Sequence, residues 1–338
     1  MNIAEVARRC GVSRSTVSYA LSGKRTISAA TRQRILDVVD ELGYRPVAAP
    51  RAPKRQRTGV VGLVIPPAAV QLTAMQLDLV GAVMDAAACA DLDVMLSPSA
   101  DDHGASFERI IARPHLDGVI ITEIRLDDPR VERLRHARIP FVTIGRTTQP
   151  GSWSWVDLDT AKLVNRCVDH LADLGHQNIA LINRSTSLLM AGYAPAHRAR
   201  ESFAEAVERR GIEGVEFCCA DEEQAGDSCT TRILDTRPQI TAIVTINEAA
   251  LPGVQRALER AGLDVPGRFS ITGLVARRWA EQFRPRLTAF DVPAAELGAT
   301  AVAFLRERIA KPGTAPMHAL VAPPISVRES TGPAVARR

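Results

Sequence analysis

IAEVARRCGVSRSTVSYALSGKRTISAATRQRILDVVDELGYRP, residues 3–46, carries three short helical patterns punctuated by glycine and serine. Ile3, Val6, Ala7 and Cys10 recur at i, i+3, i+4 and i+7, which predicts an amphipathic helix over 3–10. Gly11 supplies a stop signal, because a helix C-terminus favours a residue free to take positive φ. Ser13 reads as the N-cap of a second helix running to about Ser22, with Val17, Ala20 and Leu21 inward and Gly23 at its end. Ser28 reads as a third N-cap, with Ile35, Val38, Val39 and Leu42 inward and Gly43 closing the helix. Two short helices joined through a glycine turn, with a third behind them, form a helix-turn-helix unit. Such a unit places the N-terminal part of its second helix in the DNA major groove. The outward positions there are Arg14, Ser15, Ser18 and Tyr19. Arg14 can give two parallel hydrogen bonds to a guanine edge, Ser15 can donate or accept, and Tyr19 can touch a base or a phosphate. Thr16, Ser18, Ser28 and Thr31 suit phosphate contacts, which fix register without reading sequence.

Charge supports this reading. Residues 1–57 hold twelve Lys/Arg against four Asp/Glu, so the head is about +8. The whole chain of 338 residues is +4, which leaves the remaining 281 at about −4. A basic module on a mildly acidic body is the footprint of a polyanion-binding head. No apolar run approaches the ~18 residues of a membrane span. The first ten residues include Glu5, Arg8 and Arg9 and do not read as a signal peptide, so a cytoplasmic location and no membrane partner are expected. The six cysteines form no CxxC pair and have no histidine at metal-ligand spacing, so free buried thiols and no metal or other cofactor are expected.

From Gly59 onward apolar strands alternate with helical segments. GVVGLVIP, residues 59–66, is a continuous apolar run of the kind found in buried parallel strands. Helices are expected over 75–90, 106–111, 131–137, 161–174, 198–210, 225–236 and 249–261. Strands are expected over 93–96, 118–122, 141–144, 179–182, 215–219, 242–245 and 270–273. This alternation predicts an α/β core of two βαβ lobes with parallel sheets, and ligands bind such sheets beyond the carboxyl ends of the strands. Catalytic motifs are missing. No GxGxxG follows the first strand, and there is no GxxxxGK[ST], HExxH or GxSxG, so no enzyme activity is expected.

The head sequence resembles that of the LacI/GalR (lac-repressor-like) family of transcriptional regulators. The likeness rests on the GVS turn, STVS, ISxxTRxRI and LGYRP. It continues more loosely through LADLGHQNIALI, DVPGRFSITG, PRLTAFDVPAAELGATAVAFL and ISVREST, spanning about residues 2–331. The resemblance implies an all-α helix-turn-helix head at 1–46, a hinge at 47–58 and a two-lobed, periplasmic-binding-protein-like core at 59–331. The chain would cross between lobes three times. The first lobe would take about 59–155 and 286–315, and the second about 156–285 and 316–331. It implies a homodimeric regulator, a repressor, on a palindromic double-stranded operator, with a small-molecule effector in the interlobe cleft. The alternative is a core that only dimerises and binds no effector. No tetramerising heptad is seen at the C-terminus, where GPAVARR reads as a frayed tail. Base reading in the family maps onto Arg14, Ser15 and Tyr19. The last is commonly Arg, so Tyr19 implies a different half-site.

Two departures bear on mechanism. The family's hinge helix carries a leucine that wedges into the minor groove, but here the segment reads VAAPRAPKRQRTG, with Pro50 and Pro53. Proline inside a helix lacks an amide donor and clashes with the previous turn. Three readings stay open: an extended hinge that grips phosphates through Arg51, Lys54 and Arg55; a proline wedge; or a plain tether. In the cleft, strand-end loops nominate Gln71, Glu123, Arg146, Asp159, Asn183, Tyr193, Arg198 or Arg200, Asn247 and Val275. The resemblance favours Arg200 as the effector-contacting arginine, though its spacing to Phe203 departs from the family's. It also sets Val275 where an aspartate usually accepts sugar hydroxyls. An anionic or less hydroxylated effector, met by Arg146 and Arg200, is the expectation.

Overall fold

A computed structural model describes residues 3–22, 27–42, 57–66, 72–99, 105–112, 115–149 and 151–335. It divides into two compact units, Met1–Arg57 and Thr58–Arg338. In the first, α1 (Ile3–Cys10), α2 (Arg14–Ser22) and α3 (Ala29–Glu41) enclose a small core of Val6, Ala7, Cys10, Val17, Ala20, Ile35 and Val39. The turn after α1 depends on Gly11, whose φ is +66°. There the Gly11 N–H donates to the Arg8 carbonyl at 3.3 Å and the Val12 N–H to the Ala7 carbonyl at 3.0 Å, satisfying two carbonyls that the helix end leaves open. Ser13 Oγ accepts from the Thr16 amide at 3.1 Å and Ser28 Oγ from the Thr31 amide at 3.2 Å, so both serines cap as their positions predict.

The second unit runs β1 (Val60–Ile65), α4 (Ala74–Ala88), β2 (Asp93–Pro98), α5 (Ala105–Ile111), β3 (Gly118–Ile121), α6 (Pro129–Ala137), β4 (Phe141–Ile144) and β5 (Ser154–Leu158). It continues α7 (Thr160–Asp173), β6 (Asn178–Asn183), α8 (Thr186–Met190), α9 (Ala194–Arg210), β7 (Glu213–Cys218), α10 (Glu223–Thr236), β8 (Ala242–Thr245) and a 3₁₀ turn at Glu248–Ala250 that leads into α11 (Leu251–Arg260). It ends with β9 (Ser270–Val275), α12 (Arg277–Gln282), β10 (Thr288–Asp291), α13 (Ala294–Ala310), β11 (His318–Val321) and β12 (Ile325–Ser326). Helix α9 begins four residues before the expected Arg198, because Pro195 sits in its first turn, where a missing amide costs nothing.

Among the described residues the strands form two six-stranded sheets, ordered β2-β1-β3-β4-β5-β11 and β7-β6-β8-β9-β10-β12. Every pairing is parallel except β10 with β12. The register corrects the expected lobe limits. β10 pairs with β9, Thr288 opposite Thr272, and so belongs to the second lobe. β11 pairs with β5, His318 opposite Trp155, and so belongs to the first. Short apolar runs carry no label for the sheet that will take them; pairing partners decide it. Helix α13 covers the first sheet and packs so tightly on α4 that a Cβ at Gly298 would stand 2.8 Å from Ala82 backbone.

The second lobe is pinned to the chain's end by His176. Its Nδ1 pairs with Thr241 Oγ1 at 2.8 Å, and its Nε2 lies 3.0 Å from Ser270 Oγ and 3.2 Å from the Gly332 carbonyl. Arg328 closes the same region with a two-pronged ion pair to Asp291 at 2.9 and 2.8 Å. Cys10, Cys167, Cys219 and Cys229 are buried free thiols, whereas Cys218 is half-buried and Cys89 exposed. No helix of the described residues is long and apolar enough to cross a membrane.

Candidate nucleic-acid interface and ligand cleft

On the head, the core takes one side of α2 and leaves Arg14, Ser15 and Tyr19 on the other, with Thr16 half-buried. The capping hydroxyls are linked: Ser13 Oγ lies 2.7 Å from Ser15 Oγ and 2.8 Å from Thr16 Oγ1, and Ser28 Oγ lies 2.7 Å from Thr31 Oγ1. These hydroxyls sit at the starts of α2 and α3, where a phosphate would meet both them and the helix N-terminus. Not every head cation is offered outward, since Arg8 pairs with Glu5 and Arg9 with Glu41. The side chain of Ser18, and Arg51, Lys54 and Arg55 with most of the hinge, lie outside the described residues.

In the core, the ends of the parallel strands converge on a cavity of about 110 Å³ between the lobes. Thr122, Glu123 and Ile124 follow β3, Gly145 follows β4, Arg184 follows β6 and Ile246 follows β8; Leu274 comes from β9 itself. Met75 and Gln76 reach in from the first turn of α4, and Tyr193 from the start of α9. Glu123 is held at φ +53° by Arg130, which donates to the Thr122 carbonyl at 3.0 Å and the Glu123 carbonyl at 2.9 Å. Arg130 is fixed in turn by Asp128 at 2.6 Å. Burial works to raise the Asp128 pKa, but Arg130 and two backbone amides outweigh it and hold the carboxyl below its usual range. Gln76 Nε2 donates to Glu123 Oε1 at 3.1 Å. Arg184 is locked onto Asp221 by two bonds of 2.7 Å and stacks 5.1 Å from the centre of the Tyr193 ring. Burial, then the neighbouring Glu123 carboxylate, pushes the Tyr193 hydroxyl well above its ordinary pKa, so it stays a neutral donor.

Of the residues that the sequence nominates for the effector, Glu123 and Tyr193 meet at this cavity. Arg146 and Arg198 stand one layer back, gripping Asp157, which does line it, at 3.1 and 3.4 Å. Arg198 also donates to the Arg146 carbonyl at 2.6 Å. The structure places four others elsewhere. Arg200 points to the outer strand β7, pairs with Glu216 at 2.7 Å and is largely solvent-exposed. Asp159 caps α7 through the Lys162 amide at 3.1 Å. Asn247 spends its side-chain amide on the Cys219 and Ala220 carbonyls at 3.0 and 3.2 Å. Val275 is fully buried in the second lobe's core, and its neighbour Leu274 lines the cavity instead. Gln71 lies outside the described residues. The cation at the cleft is Arg184, which sequence reasoning passed over for Asn183. Strand alternation turns Asn183 away, to the Ala196 carbonyl at 2.9 Å and Glu216 at 2.6 Å.

Comparisons with known proteins agree with this geometry. The model of bacterial regulatory proteins of the lacI family matches residues 2–47, and that of the periplasmic binding protein-like domain matches 168–331. HTH-type transcriptional regulator AglR of Rhizobium meliloti (strain 1021) is 31% identical over 346 residues, covering 99% of this chain and 95% of the relative. HTH-type transcriptional regulator RafR of Escherichia coli is 30% identical, covering 78% and 77%. Among solved structures, a transcriptional regulator CelR-cellobiose complex superposes with TM-score 0.73 at 25% identity, covering 98% of this chain and 99% of that one. The lac repressor dimer bound to operator and the anti-inducer ONPF has the same fold, with TM-score 0.72 at 22% identity over 98% and 99%.

Asp157 yields a pH prediction. Burial pushes its carboxyl up to about 6, against the opposing pull of Arg198 and Arg146. A folded-state pKa above the unfolded value means that the folded protein holds the extra proton. This contribution to stability is therefore full below about pH 4 and is lost as pH rises through about 6. Asp157→Asn should flatten that part of the stability profile, by about 2–3 kcal/mol between pH 4 and 7, as read by urea unfolding. An unchanged slope would refute the assignment.

Proposed function

Because this chain belongs to the lacI family of bacterial regulatory proteins, we propose that it is a sequence-specific DNA-binding transcriptional regulator that represses from a palindromic operator as a homodimer and answers to a small molecule in its interlobe cleft. The observation that carries the DNA-binding part is the α1–Gly11–α2 unit, with its core on one side and Arg14, Ser15 and Tyr19 on the other. In this reading 1–46 form the head, 47–58 the hinge and 59–331 the core. Arg14, Ser15 and Tyr19 read bases, while Thr16, Ser18, Ser28, Thr31, Arg51, Lys54 and Arg55 hold phosphates. The protein works in the cytoplasm and catalyses nothing. On duplexes selected from random palindromes, Arg14→Ala should weaken specific binding about 10- to 100-fold, the value of one good base contact, and leave nonspecific binding nearly unchanged in anisotropy titrations. Failure of the parent chain to prefer any duplex at low salt would sink the reading.

The dimer is proposed to form through α4. Leu77, Gly81, Met84 and Ala88 recur on its outer face, apolar or small at every step. Leu77 and Met84 are each nearly half exposed, nothing stands within 4 Å of a Cβ built on Gly81, and Leu96 of the edge strand β2 adds exposed apolar surface beside the same lobe's core. A two-fold related copy of the helix would bury the stripe, and a dimer carries two heads for two half-sites. Met84→Glu should convert the dimer to a monomer in light-scattering chromatography and cost operator affinity at least tenfold. A dimer that survives both this change and Gly81→Arg would exclude α4 as the interface.

The effector is proposed to be neutral and hydroxylated rather than anionic. Among the described residues the cations at or behind the cleft are engaged by carboxylates: Arg184 by Asp221, and Arg146 and Arg198 together by Asp157. What remains toward the cavity is Glu123 with Gln76, Tyr193 and the outer edge of Arg184, a set suited to hydroxyl groups. The related CelR complex holds cellobiose. Thermal unfolding of the full chain against mono- and disaccharides and their phosphates should show a rise of a few degrees for a neutral sugar. A preference for phosphorylated compounds would overturn this choice, and no response to either set would favour a core that only dimerises.

A further inference from the structure

We infer that Glu248 is a resident anion that clasps the two lobes together, a positioning residue for cleft closure independent of which effector binds. Glu248 stands on the 3₁₀ turn after β8, in the second lobe, and is almost fully buried. Its Oε1 accepts from the Met75 amide at 2.6 Å, across the cleft in the first turn of α4. Its Oε2 accepts from the Ala276 amide at 2.9 Å, in its own lobe. One carboxylate thus satisfies a backbone donor in each lobe. The α4 end is a favourable place for it: Thr73 caps the Gln76 amide, and the remaining first-turn amides attract negative charge. Among the described residues no arginine or lysine pairs with Glu248, so these amides are its charge partners. Arg278 and Asp78 are charged groups beside the junction, and Arg277 directly follows Ala276. Arg278 crosses in the same direction, donating to the Ala74 carbonyl at 3.0 Å and pairing with Asp78 at 3.1 Å.

The chemistry makes the clasp directional. When the lobes part, Ala276 stays with Glu248 but Met75 leaves. A buried carboxylate then loses one charge-assisted bond, which costs more than a neutral one because burial has stripped its water. Glutamine cannot replace it, because its NH₂ would face a second donor. The carboxylate also occupies the place where a ligand anion would seek the α4 amides. The cleft is therefore held toward closure before any ligand arrives, and an anionic ligand group is turned away from that end.

Hydrogen exchange by mass spectrometry on the ligand-free full chain tests this, with solution scattering alongside and circular dichroism to show that each variant is folded. Glu248→Gln should raise exchange on the order of tenfold in the segments holding Met75 and Ala276 and increase the radius of gyration. Glu248→Asp, one methylene shorter, keeps the charge but cannot span both amides; it should release Met75 while Ala276 stays protected. If Glu248→Gln does not fold, the aspartate variant is read alone. Met75 protection equal to that of the parent chain in a folded variant would overturn the clasp. So would loss confined to Ala276, which would make Glu248 a cap within its own lobe.

Discussion

A parallel sheet covered by helices on both faces can place polar chemistry only at its strand ends. Everything functional in the core follows from this constraint. The strand interiors are mostly apolar, as at Ile120, Ile121, Val142, Ile182, Val244 and Ile271, and buried hydroxyls within them, such as Thr143, Thr245 and Ser270, are spent on neighbouring carbonyls. The loops just past the strands are the first places that can turn a charge into the cleft, and Glu123 and Arg184 stand there. Because the strand ends of the two sheets face each other, these residues meet as one constellation rather than as two separate rims. Apolar side chains fill the gaps, so Arg184 is held by Asp221 and Arg146 and Arg198 share Asp157, while Glu123 and Glu248 take uncharged donors.

The sequence made the elements legible because apolar period and caps are local. Ser13 and Ser28 cap where a serine before an apolar stripe should, and GVVGLVIP becomes a buried central strand. SWVDL was not visible as β5, because its serine and aspartate break the run; Ser154 is buried there with its Oγ accepting from the Met317 amide at 3.0 Å. What local pattern cannot supply is phase and partnership. Arg198 and Arg200 differ by two positions on one helix, about 200° of rotation, so one meets the first lobe and the other meets Glu216 on an outer strand. Asn183 and Arg184 differ by one position on a strand end, which reverses the side. Glu248 gives no local signal, since the donor it takes from the other lobe lies 173 residues away.

Head and core solve opposite problems. The head's core is a handful of residues, Val6, Val17 and Ile35 chief among them, and can hold only three short helices. Its capping serines, Ser13 and Ser28, therefore matter structurally, because each hydroxyl satisfies an amide at the start of a helix that the small core alone could not hold. The core has apolar area to spare and uses it to bury ionised groups such as Asp157 and Arg184, which a small module could not do.

The interleaving of the chain carries a consequence for biosynthesis. The first lobe takes its covering helix from Ala294–Ala310 and its edge strand from His318–Val321, while the second takes strands from Thr288–Asp291 and Ile325–Ser326. Neither lobe can be completed as a nascent chain lengthens, even though β1 to β5 emerge first. Until Ala294–Ala310 and His318–Val321 leave the ribosome, α4 lacks the helix that packs on it and β5 has a bare edge. Such surfaces are the ones that chaperones bind and that pair with the wrong neighbour when synthesis outpaces folding.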